Sequence, residues 1–390
     1  PMNILFLTTI LPIKAKSGGE IVTKQIITGL ISSGADVDVV GYVRPDETNL
    51  SLPTNYNVAE ARVIETQGHK KETLKWLLSS LVKKVPFSSE KYVGAKFIEI
   101  VNAKLRQKQY DYIFIDHTQM LWICNYFSND QKLILISHNV ESQLYDDLAN
   151  DSSNWLKRNI LRLESSKLEK LEQSSINKIS QIWSLSNNDT AYYSKLNNSQ
   201  YNSPTCITFD ALPLLEPDLL PLPEAQYDVS LLGTWSWDAN MKGLRWFFDN
   251  VYPLLPVEIT IQVAGKGADW LADKYKNVKY KGFVEDAQEF LSKSKVIAIP
   301  SISGAGVQIK TLDAITIGRP IVASEFALRG LEDIPSYVYS SRQASEMANQ
   351  IMTNLERKVS QNDLLVLKHE CNEWYSSKIN NFKEVILGSL

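Results

Sequence analysis

SISGAGVQIKTLDAITIGRPIVAS, residues 301–324, follows one apolar run, KVIAIP (295–300), and closes on another, PIVAS (320–324). A chain that leaves a buried strand, turns, runs at helical period and re-enters a β-branched run is a β-α-β unit of a parallel sheet. Such a unit needs only a short loop and a helix. Two glycines, Lys310 and Asp313 are more than packing requires. Backbone N–H groups at a helix start, brought close by glycine, suit a phosphate. Gly304 and Gly306 place such a loop, with Ala305 and Val307, at the carboxyl end of the strand. Lys310 and Asp313, three apart, share a helix face; a lysine suits a diphosphate and a carboxylate suits a ribose diol. The plainer alternative is an incidental surface ion pair.

The same grammar extends on both sides. DVSLLGTW (228–235), EITIQVAG (258–265), NVKYKGF (277–283), KVIAIPS and RPIVAS read as strands, with KGLRWFFDNVYPLL, DWLADKYK, DAQEFLSKS and 306–317 as helices between them. Upstream, NILFLTT (3–9), DVDVVGYV (36–43), ARVIET (61–66), YDYIFID (110–116), KLILISH (132–138) and ISQIWSLS (179–186) alternate with helical segments such as 19–34 and 154–173. Continuous apolar strands alternating with helices predict parallel sheets covered on both faces. LPLLEPDLLPLPEAQ (212–226) is too rich in proline for a helix or inner strand and divides the two halves. The expected fold is α/β: two tandem Rossmann-like doubly wound domains, 1–210 and 211–371, with an interdomain cleft. A C-terminal helix, 372–390, is expected to return to the first domain.

Composition narrows the function. The 390 residues carry a net charge of −3, which gives no electrostatic case for nucleic acid. Three scattered cysteines and four histidines show no metal-ligand spacing and suit a reducing compartment. MNILFLTTILPI falls short of the ~20 apolar residues of a membrane span and reads as a first strand rather than a leader.

Other candidates sit at strand ends. A glycine pair, Gly18-Gly19, opens a helix after the first strand, but without the GxGxxG spacing of a dinucleotide fold. Asp116-His117 ends one strand and is a candidate for binding or deprotonating an acceptor hydroxyl. His138, in SHNVES, ends the next. In KKETLKWLLSSLVKKVP (70–86), Leu74, Leu77, Leu78 and Leu81 make one stripe. A core-facing helix is the simpler reading, and a membrane-surface helix the alternative.

The run 301–324 resembles the donor-binding element of family 4 glycosyltransferases of the GT-B fold. The resemblance extends over DVSLLGTWSWDANMKGLRWFFDNVYP (228–253), QVAGKG (262–267) and VKYKGFVEDAQEFL, most of residues 228–325. It implies a retaining hexosyltransferase that takes a nucleotide sugar, UDP-linked and of glucose type, to a sugar or polyprenyl-linked acceptor in polysaccharide or glycoconjugate synthesis. It also implies no metal or other cofactor, and a cytoplasmic location, with the inner membrane face as an extension of it. His138 resembles the family histidine near the transferred sugar, Gly19 falls where backbone approaches the donor, and Phe283-Val284 falls where the base is held. The family pattern has two glutamates; here they are Ala305 and Asp313. The family arginine after the first strand of the second domain is Thr234, and Lys242 stands for the family lysine. Lys310 is the expected replacement for the missing charge. Two other classes remain: a silent sugar-nucleotide binding module, suggested by Ala305 and Thr234, and an oxidoreductase on tandem Rossmann domains.

Overall fold

The computed structural model describes residues 1–197, 203–218 and 221–390. The chain forms two α/β units, Pro1–Asp210 with Lys383–Leu390, and Ala211–Phe382. In the first, β1 (Asn3–Ile10), β2 (Asp36–Val43), β3 (Tyr56–Ala61), β4 (Tyr112–Asp116), β5 (Leu133–Ser137), β6 (Ile179–Ser184) and β7 (Thr205–Thr208) form a parallel sheet in the order β3-β2-β1-β4-β5-β6-β7. Its helices are α1 (Gly18–Ser32), α2 (Lys70–Lys83), α3 (Phe87–Glu90), α4 (Ala95–Gln107), α5 (Glu141–Asn150), α6 (Trp155–Ser175) and α7 (Asn187–Asn197). In the second, β8 (Tyr227–Leu232), β9 (Ile261–Ala264), β10 (Val278–Tyr280), β11 (Ser294–Ile299), β12 (Ile321–Ser324) and β13 (Val338–Ser341) run in the order β10-β9-β8-β11-β12-β13. The remaining helices are α8 (Asp238–Trp246), α9 (Ala287–Ser292), α10 (Ile309–Ile315), α11 (Ala344–Glu356) and α12 (Gln361–Gly388).

Both sheets reverse direction beside their first strand, between β1 and β4 and between β8 and β11. Loops at the carboxyl ends diverge there and leave room for a ligand. Ile4 to Ile10 of β1 are all buried; Phe6 stacks on Phe114 of β4, which meets Trp183 of β6 edge-on. α1 is fixed by a capping box in which Ser17 and Glu20 exchange hydrogen bonds, and Arg44 clamps Glu20 at 2.9 and 3.2 Å.

The structure departs from the sequence expectations in several places. The strand expected at 61–66 is β3 at 56–61, and β7 and β13 add edge strands that apolar runs do not signal. The helix expected over 306–317 is shortened to α10, which puts Lys310 in its first turn rather than one turn in. DWLADKYK forms only a 3-10 turn at Asp269–Leu271. The segment 242–255 is α-helical to Trp246, then a π turn (Phe247–Val251) and a 3-10 turn (Tyr252–Leu254), since Pro253 cannot continue the i→i−4 ladder.

The C-terminal helix is divided between the two units. α12 starts at Gln361, and its length to Phe382 belongs to the second unit, where Cys371 Sγ meets Ile315 O and Trp374 Nε1 donates to Asp333 O at 2.8 Å. Only 383–390 groups with the first unit, where Leu390 O accepts from Tyr112 Oη at 2.9 Å and Ser389 O from Gln181 Nε2 at 2.7 Å.

The leucine stripe of α2 also turns out differently. Trp76 and Ser80 are buried, while Leu74, Leu77, Leu78 and Leu81 are exposed. The periodicity marks a face, but that face points outward.

At the carboxyl ends of β8, β9 and β10 the loops meet without side chains between them. A Cβ on Gly265, at φ +120, would lie 1.6 Å from Gly233 O, and Gly265 N donates to Gly282 O at 2.6 Å. Gly265→Ala is therefore expected to destabilise the protein by at least ~2 kcal/mol, from strain and steric conflict together. Gly388→Ala, with open space around it, should be neutral. Urea unfolding of both variants measures this; equal midpoints would refute the close approach.

Candidate active site

In the first unit, β1, α1, β4 and β5 deliver their side chains to one carboxylate. Asp116 ends β4 with no exposed surface. Its Oδ2 accepts from Thr8 Oγ1 at 2.7 Å and Thr23 Oγ1 at 2.6 Å, and its Oδ1 lies 2.7 Å from His138 Nε2. Burial alone would push the Asp116 carboxyl up, yet the two histidines and the donated hydrogen bonds hold it down at about 2. An ionised Asp116 requires the shared proton on His138 Nε2. His138 Nδ1 is then a bare acceptor, buried and without a hydrogen-bond partner.

His117 follows at φ +76, and its ring stacks on that of His138 with centroids 3.9 Å apart and planes 13° from parallel. Burial, then the neighbouring His138, lowers His117 to about 4, so it is neutral at pH 7. Gly19 lies against this pair: a Cβ there would come within 3.2 Å of His117 Cε1 and 3.9 Å of His138 Nδ1. With no side chain at Gly19, nothing from the start of α1 presses on His138 Nδ1. Asp116, His117 and His138 each offer one ligand atom within 4.8 Å of the others and, among the described residues, are those that could hold a metal ion. Imidazole lone pairs lie in the ring planes, so an ion in the plane of one stacked ring stands off the plane of the other. Coordination by both would need a ring to turn.

In the second unit, Lys310 Nζ donates to Asn240 Oδ1 at 2.9 Å, and Asn240 Nδ2 donates to Thr234 O at 3.0 Å. The Asn240 amide thus joins α10 to the loop after β8. Half-buried Lys310 is brought down to about 8 by desolvation. Gly304 (φ +120) and Gly306 (φ +70) turn the preceding loop, where Ser303 Oγ is buried without a partner. Ser301 Oγ donates to Gln308 at 2.8 Å across that loop, and Arg329 Nη2 reaches Gly304 O at 3.4 Å. Asp313 does not pair with Lys310; its Oδ1 accepts from the backbone N–H groups of Leu214 and Leu215 at 2.6 and 2.9 Å. Phe283 is exposed, with Lys266 Nζ 5.1 Å above its ring. Buried Trp235 donates from Nε1 to Ala264 O at 2.8 Å and closes the floor of the β8 loop.

Residues 226–357 match the family model of Glycosyl transferases group 1. The match lies within the second unit and covers about a third of the chain. No curated protein matches the chain as a sequence. Among solved structures, the chain is similar to sucrose-phosphate synthase from Thermosynechococcus elongatus (TM-score 0.68, 14% identity, 100% of this chain and 97% of that one). It is also similar to WaaG, a glycosyltransferase of lipopolysaccharide biosynthesis (0.59, 13%, 99% and 98%). A third is HepE of Anabaena in complex with UDP and glucose (0.59, 14%, 100% and 98%). At these identities the likeness establishes the fold, which is that of GT-B glycosyltransferases.

Within that fold the structure gathers the residues picked from the sequence into two groups. Gly19, Asp116, His117 and His138 meet in the first unit. Gly304, Ala305, Gly306, Val307 and Lys310 form one loop and helix start within the region that the family model matches, with Phe283 and Val284 on the loop after β10. Asp116 has both oxygens engaged and no exposed surface, and its Oδ1 holds His138 Nε2. Lys242 is exposed and ion-paired to Asp238 at 2.8 Å, a surface i,i+4 pair. Thr8, Thr23, Asn240, Lys266 and Arg329 escape sequence reasoning. Asn240 had a signal, since it closes the W-x-x-N run Trp237–Asn240.

The His117 environment sets a pH dependence. Its folded pKa, about 4, lies below the ordinary 6.5 of an unfolded histidine. Between those values the unfolded chain binds more protons than the folded one, so stability present above pH 6.5 is lost as pH falls toward 4. His117→Asn, which tolerates positive φ, is expected to flatten that loss in urea midpoints between pH 7 and pH 4.5. An unchanged slope would assign the loss to other groups.

Proposed function

We propose that the protein transfers a glucose-type hexosyl group from a UDP-sugar to a sugar or polyprenyl-linked acceptor, with retention of configuration. The observation that carries this reading is Lys310, set in the region that the family model matches, beside the Gly304–Gly306 loop and steered by Asn240. In the step, the bond from C1 to the β-phosphate oxygen breaks and the acceptor oxygen bonds to C1. The acceptor proton passes to the departing phosphate on the same face. Charge grows on that phosphate as the bond breaks, and a fixed ammonium stabilises it more in the transition state than in the ground state. The Asp313 oxygen not held by the linker is the candidate for the ribose diol, and Phe283 offers a flat apolar surface to the base. On the first unit His138 Nδ1, an acceptor by its tautomer, is suited to a sugar hydroxyl. Positive charge is supplied by the protein, so no metal is invoked.

A second reading rests on the same Nδ1. A histidine backed by an ionised carboxylate is also a general base. It could take the acceptor proton itself in an opposite-face displacement that inverts the anomeric centre. The anomeric coupling constant of the product, by NMR, separates the two: retention sustains the first reading and inversion the second.

Lys310→Met is expected to lower kcat roughly 10²–10³-fold, the loss of one strong electrostatic donor, with a smaller change in donor KM. The kcat/KM of the free enzyme should fall as pH rises through about 8, where Lys310 deprotonates. If kcat is unmoved, the lysine is not the leaving-group partner. EDTA should leave activity in place; abolition by EDTA and rescue by Mg²⁺ or Mn²⁺ would show that the leaving group needs a cation the side chains do not provide. No UDP release from any UDP-sugar, with or without an acceptor, would leave only the binding-module class.

A further inference from the structure

We infer that the outer face of α2 and the N-terminal half of α6 is a docking surface for an anionic lipid bilayer. At 100° per residue, Leu74, Leu77, Leu78, Leu81 and Val82 cover an arc of ~140° on α2, opposite the buried Trp76. All five are exposed, Val82 at 83%. On α6, Leu156, Ile160 and Leu163 are exposed at helical spacing, and Trp155 stands out at the helix start at 72%. The next position on that α6 stripe is Lys167, whose Nζ donates to Ser80 O at 3.2 Å and Ser80 Oγ at 3.1 Å. α6 therefore packs beside α2, and both helices keep an apolar stripe exposed. Glu164 fixes the junction by accepting from the Phe87 and Ser88 N–H groups at 2.8 and 2.9 Å.

Charge decides the occupant. Residues 70–84 and 155–167 hold nine lysines and arginines against Glu72 and Glu164, net +7, in a chain whose net charge is −3. Glu164 is buried and already engaged. Lys83 pairs with Glu90 at 2.7 Å and Arg158 donates to Ser152 O, while Lys70, Lys71, Lys75, Lys84 and Lys157 are exposed beside the apolar arc. Leucines and a tryptophan ringed by lysines suit the boundary between acyl chains and anionic head groups. No described helix is long and apolar enough to cross a membrane, so the contact is with the surface. The inference does not depend on the reaction proposed above.

The test is flotation of the full chain with vesicles of phosphatidylcholine alone and of equimolar phosphatidylcholine and phosphatidylglycerol. Binding is expected to the mixed vesicles only, and to weaken with salt. Replacing Lys70, Lys71 and Lys75 with glutamine should lower partitioning roughly 100-fold, at about fivefold per lysine. Leu78→Gln with Trp155→Gln, both exposed, should also weaken it and leave unfolding midpoints unchanged. Glutamine at Lys276, Lys279 and Lys358, exposed on the second unit, should change nothing. Absence of binding to mixed vesicles overturns the inference, as does equal binding to both vesicle types. So does a concentration-dependent dimer that Leu78→Gln with Trp155→Gln abolishes while vesicles stay unbound, which would give the face to a second copy of the chain.

Discussion

A carboxylate with no water around it must have its lone pairs filled from within, and Asp116 sets the first unit on those terms. An uncompensated charge at that depth would cost several kcal/mol. The compensation comes from β1 through Thr8, from α1 through Thr23 and from beyond β5 through His138. Four elements that are distant in sequence are thereby fixed where the parallel sheet reverses direction. The arrangement also dictates chemistry. With the proton on Nε2 held toward Asp116, the remaining nitrogen of His138 is left as an acceptor over the one residue, Gly19, that has no side chain to cover it.

The second unit reaches a comparable result by close backbone approach. Gly265 lets the loops after β8 and β9 touch, and Gly243 lets α8 lie against Pro300 at the end of β11, where a Cβ would come within 2.6 Å of the carbonyl oxygen. Those contacts bring Asn240 within reach of Lys310. Desolvation then weakens the lysine's hold on its proton, and a diphosphate beside it would restore that hold. The group is therefore most fully charged when a leaving phosphate needs it.

The two-domain parallel architecture was legible because central strands such as NILFLTTI and SKVIAI are buried on both faces and stand out as apolar runs. Three of the four edge strands were not: YNVAEA, TCIT and VYSS are half-polar and short, since one side of each meets no further strand, while the fourth, β10, lies within the run NVKYKGF. His138 and Lys310 could be picked out because strand ends and glycine loops are sequence features. Thr8 and Thr23 could not, since nothing in a strand or helix pattern says that a threonine faces a carboxylate 93 or more residues away. The stripe of α2 shows the limit most directly. Helical period shows that the leucines share a face, but only the burial of Trp76 and Ser80 shows which face is turned inward.

The attachment of Asp313 to the Leu214 and Leu215 amides has a consequence for observation. Burial raises the Asp313 carboxyl while those two N–H groups lower it, so the linker residues are part of its solvation shell. Any diol that engages the carboxylate redistributes its electron density and changes the strength of both linker hydrogen bonds. The proline-rich segment thus acts as a built-in spectator of the helix beside it. The two amides would register occupancy in their proton chemical shifts and exchange rates without a label placed in the site itself.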